Sequence, residues 1–347
     1  MIKLAIKCNL QKLNGLSFHR LFVPFSKISD SIEFKCDVFP DLDLLSDEQL
    51  KEYHAVVYQR EIDTSGGSLE KIKRYHKLGL KVIFDIDDIW LLPQTHYLYR
   101  AYRQYNIPDQ TIEILKNVDL IITTTKHLAT KIKKYNKKVH VIPNCLDAED
   151  EQWQSNKTKS DYIRFGYIAG IFHKVDVSIM QMPILKAYRN YLNAQFVLGG
   201  YNDNEDYKYY ESVLSANNFN INKYKRINAL HVHEYGKAYN ETDISLIPLQ
   251  NNTFSECKSE IKLLEAAMHG NPAIVSDVLP YNIFPKETAI FLNNHDINGW
   301  YKAIRELSRN EELRKEKAEA LKKYVDKNYN IEKWTQIRKD ILASVLV

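Results

Sequence analysis

Residues 251–277, NNTFSECKSEIKLLEAAMHGNPAIVSD, preceded by DISLIPL at 243–249, read as strand, loop, helix, turn and strand. Leu263, Leu264, Ala267 and Met268 set an apolar stripe on one face of the helix, the mark of a helix packed against a core. Gly270 suits the left-handed residue that closes a helix, and Pro272 forbids continuation. Residues 273–276 then give the next buried strand.

The polar face of the same helix carries Lys258, Lys262 and Glu265, which at spacings of four and three share one side of about two turns. Two ammonium groups beside one carboxylate suit a ligand with both phosphate and ribose. Free backbone N–H groups near Lys258 and Ser259 would add on the order of 1 kcal/mol toward a diphosphate. A solvated face laced by ion pairs has the same spacing, so spacing alone does not choose.

The helix with K-S-x-x-K-x-x-E-A, then G-x-P-x-(V/I)-x-S-D and a nearby P-Y, is carried by Lys258, Ser259, Lys262, Glu265, Ala266, Gly270, Pro272, Ile274, Ser276, Asp277, Pro280 and Tyr281. It resembles the donor-sugar site of group-1, family-4-like glycosyltransferases of the GT-B fold. The resemblance implies that Glu265 binds the nucleotide ribose. The family places a second carboxylate eight residues earlier, where this chain has Cys257, with Glu256 one residue before it. Glu256 therefore stands as the candidate catalytic carboxylate; the other readings are that this branch does without one, or that Glu256 closes a T-x-x-E capping box with Thr253.

Outward from this unit, 347 residues suffice for two domains of ordinary size, each with its own core. Lys and Arg number 48 against 44 Asp and Glu, so the net charge of +4 is small and no nucleic-acid partner is expected. A modest basic bias suits anionic ligands or peripheral association with a membrane surface. Cys8, Cys36, Cys145 and Cys257 lack C-x-x-C spacing, which points to a reducing compartment without a zinc site. No signal-peptide core or spanning apolar run is present, and a cytoplasmic location, free or peripheral at the inner membrane face, is expected.

The first half opens with a strand at 1–8, a loop at 11–15 and a helix from Ser17. Apolar runs at 32–39, 55–58, 81–86, 120–123 and 139–142 alternate with amphipathic segments such as 69–78 and 126–135. That alternation predicts an α/β fold with a parallel sheet covered on both faces. The absence of G-x-G-x-x-G after the first strand argues against a dinucleotide-dependent dehydrogenase. Asn14, Gly15 and Arg20 follow the first strand, where ligands of open sheets lie, and match the family's acceptor-side loop; a plain turn with a surface Arg is the alternative.

Asp85, Asp87 and Asp88 follow another strand and admit several readings. One is the nucleophile and acid of a Mg²⁺-dependent phosphohydrolase; another is the metal motif of the GT-A fold. A third is an acceptor-side loop of GT-B enzymes, with Asp87 and Asp88 as its residues. Turn and cap residues are the fourth.

The polar stretch 148–161 reads as an interdomain linker. Beyond it, 162–170 forms a strand ending in small residues, and a helix runs to Tyr191. The resemblance gives Gly170, His173 and Lys174 a donor-side place, with Lys174 on the diphosphate. His231 and His233 raise a metal question, but no third ligand has a recognisable spacing. A short helix is expected at 234–240, and helices at 300–307, 311–329 and 331–347 close the chain.

Together these features predict two Rossmann-like domains facing a central cleft: an acceptor-side domain at 1–150, a donor domain at 160–325, and a helix at 326–347 packing back on the first. The expected activity is metal-independent, retaining transfer from a nucleoside diphosphate sugar to a hydroxyl of a glycan, a lipid-linked sugar or another acceptor, in glycan or surface polysaccharide synthesis. No essential cofactor is expected. A phosphohydrolase built on Asp85 and Asp87, and a non-catalytic nucleotide-sugar-binding protein, are the rivals.

Overall fold

The computed structural model describes every residue except Asp30, Thr64, Tyr191, Phe219, Ile221 and Val347. The chain forms two compact units, Met1–Cys145 with Cys257–Ser259 and Asn330–Val347, and Leu146–Glu256 with Glu260–Tyr329.

The first unit holds a six-stranded sheet of β1 (Ile2–Lys7), β2 (Phe34–Phe39), β3 (Ala55–Gln59), β4 (Lys81–Ile86), β5 (Leu120–Thr123) and β6 (Val139–Val141). Its order is β2-β1-β3-β4-β5-β6 and every pairing is parallel. Leu4, Ile6, Ile83, Leu120 and Ile122 pack with Phe25 and Ile28 of the helix Val23–Ser29 and with Leu342 of the helix Ile331–Leu346. One sheet face is thus covered by two helices from opposite ends of the sequence.

The second unit holds β7 (Ile163–Ile168), β8 (Ala194–Tyr201), β9 (Tyr224–Asn228), β10 (Ile244–Ile247), β11 (Ala273–Ser276) and β12 (Ile290–Leu292). The order β12-β11-β10-β7-β8-β9 is again wholly parallel. Ile274 packs in one core with Val177, Ile184, Trp300 and Ile304, whereas its neighbours Ala273 and Val275 pack in another with Leu263, Leu264, Leu321 and Val325. Period-two alternation with both faces apolar is what a doubly covered strand requires. Gly166 on β7 is needed for close approach, because a Cβ there would lie 2.3 Å from a methyl of Thr242.

Several expectations change. The helix predicted to carry Lys258 spans only Ile261–Met268, so Lys258 and Ser259 lie in the turn before it and do not share its face. Its end is as read: Gly270 has φ +65°, and the N–H groups of Gly270 and Asn271 bond to Ala267 and Ala266 carbonyls, a Schellman closure.

The stretch 148–161 is no free linker. Trp153 is 2% exposed in the second core, and Gln152 Oε1 accepts from the Gly236 N–H at 3.1 Å, so one aromatic pins a polar segment to the second unit. The helix drawn to Tyr191 is two, Lys174–Ser178 and Gln181–Arg189, and Tyr191 itself lies outside the described residues, as does Val347. The helix Glu205–Leu214 and strand β9 were not foreseen, and His231 and His233 follow β9 rather than sitting on a strand.

Candidate functional site

In the second unit the strand order reverses between β7 and β10: the chain proceeds from β7 to β8 and β9 on one side and from β10 to β11 and β12 on the other. Ligands of open parallel sheets lie beyond the carboxyl ends at such a point. After β7, Gly170 is exposed, and nothing lies within 4 Å of the place its Cβ would take. Phe172 then adopts φ +73°, a left-handed conformation that costs a non-glycine residue about 1 kcal/mol or more.

That geometry is held from outside the loop. The Phe172 N–H donates to Asp206 Oδ2 at 3.0 Å and the His173 N–H to Tyr210 Oη at 2.7 Å. Asp176, 2% exposed, meets His173 Nδ1 through Oδ2 at 2.7 Å and accepts the Gln250 N–H through Oδ1, also at 2.7 Å. One carboxylate therefore joins the loops that follow β7 and β10. Lys174 is exposed, its ammonium 4.9 Å from the Tyr209 ring centroid.

Glu265 projects from the helix Ile261–Met268 and is 2% exposed. Its Oε2 accepts from Tyr239 Oη at 2.5 Å, Lys262 Nζ at 2.8 Å and Tyr235 Oη at 3.3 Å. Lys262 also donates to Tyr235 Oη and lies 4.9 Å from that ring's centroid. Burial, reinforced by the Glu265 carboxylate, pushes both phenols above their ordinary range, so they remain donors. Burial opposes the Lys262 charge, yet Glu265 beside it more than compensates and raises its pKa. The result is a carboxylate fed by protonated donors and accompanied by a persistent cation.

The preceding turn is built differently. Cys257 is fully buried; Lys258 Nζ stands 3.9 Å from Asp88 Oδ1, and Asn144 Nδ2 donates to Ser259 Oγ at 2.8 Å. These three residues belong with the first unit. Glu256 is partly exposed at the end of the short helix Thr253–Glu256. Asn252 takes the capping role read for Thr253, its Oδ1 accepting the Ser255 N–H at 2.9 Å.

In the first unit, Asn14 caps the turn at Gly15–Ser17, its Oδ1 accepting the Ser17 N–H at 2.9 Å, and Gly15 is exposed. Arg20, expected on the acceptor side or the surface, turns inward and is 1% exposed. Its Nε and Nη2 donate to the two oxygens of Asp85 at 2.9 and 2.8 Å, and Nη1 reaches the Ile142 carbonyl at 2.8 Å and Asn144 Oδ1 at 3.2 Å. With four N–H groups committed and the side chain buried, this guanidinium is not placed to meet an acceptor, and Asp85, fully buried and closed by Arg20, is not placed to act as a phosphohydrolase nucleophile.

Asp87 and Asp88 are both taken by Arg60, whose Nε and Nη2 reach Asp87 at 2.7 and 2.8 Å and whose Nη2 reaches Asp88 at 2.6 Å. Burial, only partly opposed by Arg60, raises the Asp87 pKa. Arg60 has φ +59°, so this strand end is also held in a left-handed conformation.

His231 and His233 stack with ring centroids 5.3 Å apart, and among the described residues no group of three His, Cys, Asp or Glu could hold a metal ion. Among the described residues no disulfide joins the four cysteines, and no helix is long and apolar enough to cross a membrane.

Tyr235, Tyr239, Asp176 and Arg60 were not singled out from the sequence. Their partners lie 26 to 30 residues away for the tyrosines, 74 for Asp176 at Gln250, and 27 to 28 for Arg60. The one available signal was the segment 234–240, read as a short helix and observed as a 3-10 helix at Tyr235–Glu241.

Residues 163–310, somewhat under half of the chain, match the family described as glycosyl transferases group 1. Among curated protein sequences none matches. Among solved structures, HepE of Anabaena, determined with UDP-glucose, aligns over 99% of this chain and 100% of its own at 11% identity and TM-score 0.69. Sucrose-phosphate synthase from Thermosynechococcus elongatus aligns over the same shares at 14% identity and TM-score 0.68. TarM aligns over 86% of this chain at 14% identity and TM-score 0.63, and this chain spans only 56% of TarM. The chain thus carries two Rossmann-like units of the GT-B fold and is related to the group-1 glycosyl transferases.

Proposed function

We propose that the protein transfers a sugar from a nucleoside diphosphate sugar to a hydroxyl acceptor, and that the second unit holds the donor. The observation that carries this reading is Glu265: a buried carboxylate held by Tyr239 and Tyr235 and accompanied by Lys262, in a unit whose switch-point loop presents Gly170, His173 and Lys174. Glu265 would accept the ribose hydroxyls, its orientation fixed by the two phenols. Lys174 and Lys262 would face the diphosphate and stabilise charge developing on the leaving group. Lys258 and Ser259 share the diphosphate role, and Glu256 the carboxylate role near the sugar, on the strength of the motif alone.

A uridine diphosphate sugar is the first donor to test, since HepE was determined with UDP-glucose and a trehalose-phosphate synthase with this fold is described as UDP-forming. The same proposal includes retention of configuration, no essential metal, Asn14, Gly15, Asp87 and Asp88 on the acceptor side, and work in the cytoplasm, free or at the membrane face, in glycan or surface polysaccharide synthesis. Incubation with a panel of UDP-, GDP- and ADP-sugars in chelator, with release of the free nucleotide measured with and without oligosaccharide acceptors, tests it. Release that persists in chelator and falls at least 100-fold in Glu265→Ala is expected. Nucleotide binding without release or transfer would instead make this a nucleotide-sugar-binding protein.

A further inference from the structure

A cavity in the second unit, of about 540 Å³, opens between the start of the helix Gln181–Arg189 and the loops that follow β10, β11 and β12. That volume falls within the range of small-ligand sites, and its loops are again at carboxyl strand ends. Most of its polar wall is uncharged, with Ser178, Gln181, Gln250, Asn251, Asn293 and Asn294 outnumbering the titratable His295 and Asp277. The wall is braced, because the Gln250 N–H is held by Asp176 and Asn294 Nδ2 donates to the Leu249 carbonyl at 2.8 Å. Asn294 Oδ1 is buried there without a protein donor.

Three aliphatic side chains in the lining remain open to solvent: Val175 at 41%, Met182 at 42% and Ile297 at 38% exposure. Among the described residues no Lys or Arg lines the cavity, and its one carboxylate, Asp277, is held by Lys286 at 3.2 and 3.3 Å. An anionic ligand would lose hydration with no permanent cation in the lining to offset it, and a purely apolar one would strand the amides. Amides both donate and accept, as a sugar's hydroxyls do, and the aliphatic groups suit the C–H faces of a pyranose.

We infer that this cavity binds a neutral oligosaccharide segment, separately from the nucleotide. That the saccharide is the acceptor or product of transfer rests on the proposed function; the binding itself does not. Asp176 links the two places, since its oxygens join Gln250 in the cavity wall to His173 in the switch-point loop.

The test is a printed array of neutral and acidic oligosaccharides probed with the labelled full-length chain, followed by calorimetric titration of the best neutral binder. The Gln181→Ala/Asn251→Ala double variant and Met182→Trp, which fills the cavity, are compared with wild type, and UDP binding is recorded for each. Capture of neutral oligosaccharides that weakens at least ten-fold in both variants while UDP binding is unchanged is expected. No neutral binder at millimolar concentration, equal binding by the variants, or capture of acidic sugars alone would overturn the inference. Saccharide binding in a protein that ignores every nucleotide would leave it standing and remove the donor reading.

Discussion

Asp85 in the first unit and Glu265 in the second are both buried carboxylates, and the two are closed in opposite ways. Asp85 in the first unit gives both oxygens to Arg20, with Arg338 of the last helix 3.7 Å away and pushed down to about 10 by burial and the neighbouring Arg20 charge. Glu265 in the second unit is held through one oxygen by two phenols and a lysine. A carboxylate sealed by a bidentate guanidinium is a structural clasp; one held through a single oxygen by two hydroxyls and a lysine can exchange the hydroxyls for those of a ligand. The contrast separates framework from site.

The sharpest way to break this contrast is Arg20→Ala. It would leave Asp85 buried beside the weakly engaged Arg338, and a loss of about 3–5 kcal/mol is expected, read as a lower urea midpoint with faster amide exchange in β4 and the helix Ile331–Leu346. A variant as stable as wild type would deny Asp85 its role as a clasp.

Acidification distinguishes the two places next. His269 stacks on Tyr239 with centroids 5.4 Å apart, and burial, helped by the Lys157 charge, depresses its pKa from 6.5 to about 4. Between those values the unfolded chain binds a proton that the folded one refuses, so stability present at neutral pH is lost as pH falls from about 6.5 toward 4. A drop of about 2 kcal/mol over that window is expected, flattened in His269→Gln; an unchanged slope in the variant would assign the loss elsewhere.

Glu265→Gln should cost less, about 1–2 kcal/mol, because a carboxamide oxygen still accepts from Tyr239. A loss equal to that of Arg20→Ala would make Glu265 a second clasp. Tyr239→Phe is the mildest, at about 1 kcal/mol in stability, with a several-fold weaker grip on nucleotide as Glu265 loses a donor that orients it.

Period and punctuation made the fold legible. β4 and β5 fall on the apolar runs at 81–86 and 120–123, and Gly270 with Pro272 marks the helix end. β9, sequence YKRIN, escaped because an edge strand with exposed alternate residues carries little apolar signal. The helix Glu205–Leu214 carried a readable cap, Asn204 followed by two acids, but its tyrosines obscured the stripe.

At the site, Glu265 and Lys262 were legible because their pairing is local to one helix. Lys258 was misplaced by extending that helix one turn too far, and nothing in the spacing of Arg20 announces a partner 65 residues on. Long-range ion pairs are set by topology, which a local pattern does not encode.

The central claim is that Glu265 takes part in holding a nucleotide. Titration calorimetry of UDP in chelator against wild type and Glu265→Ala, with circular dichroism confirming that both are folded, tests it most directly. The account predicts binding by wild type that weakens at least ten-fold, about 1.4 kcal/mol, in the variant. Equal binding by the two proteins would contradict it and move the nucleotide away from Glu265.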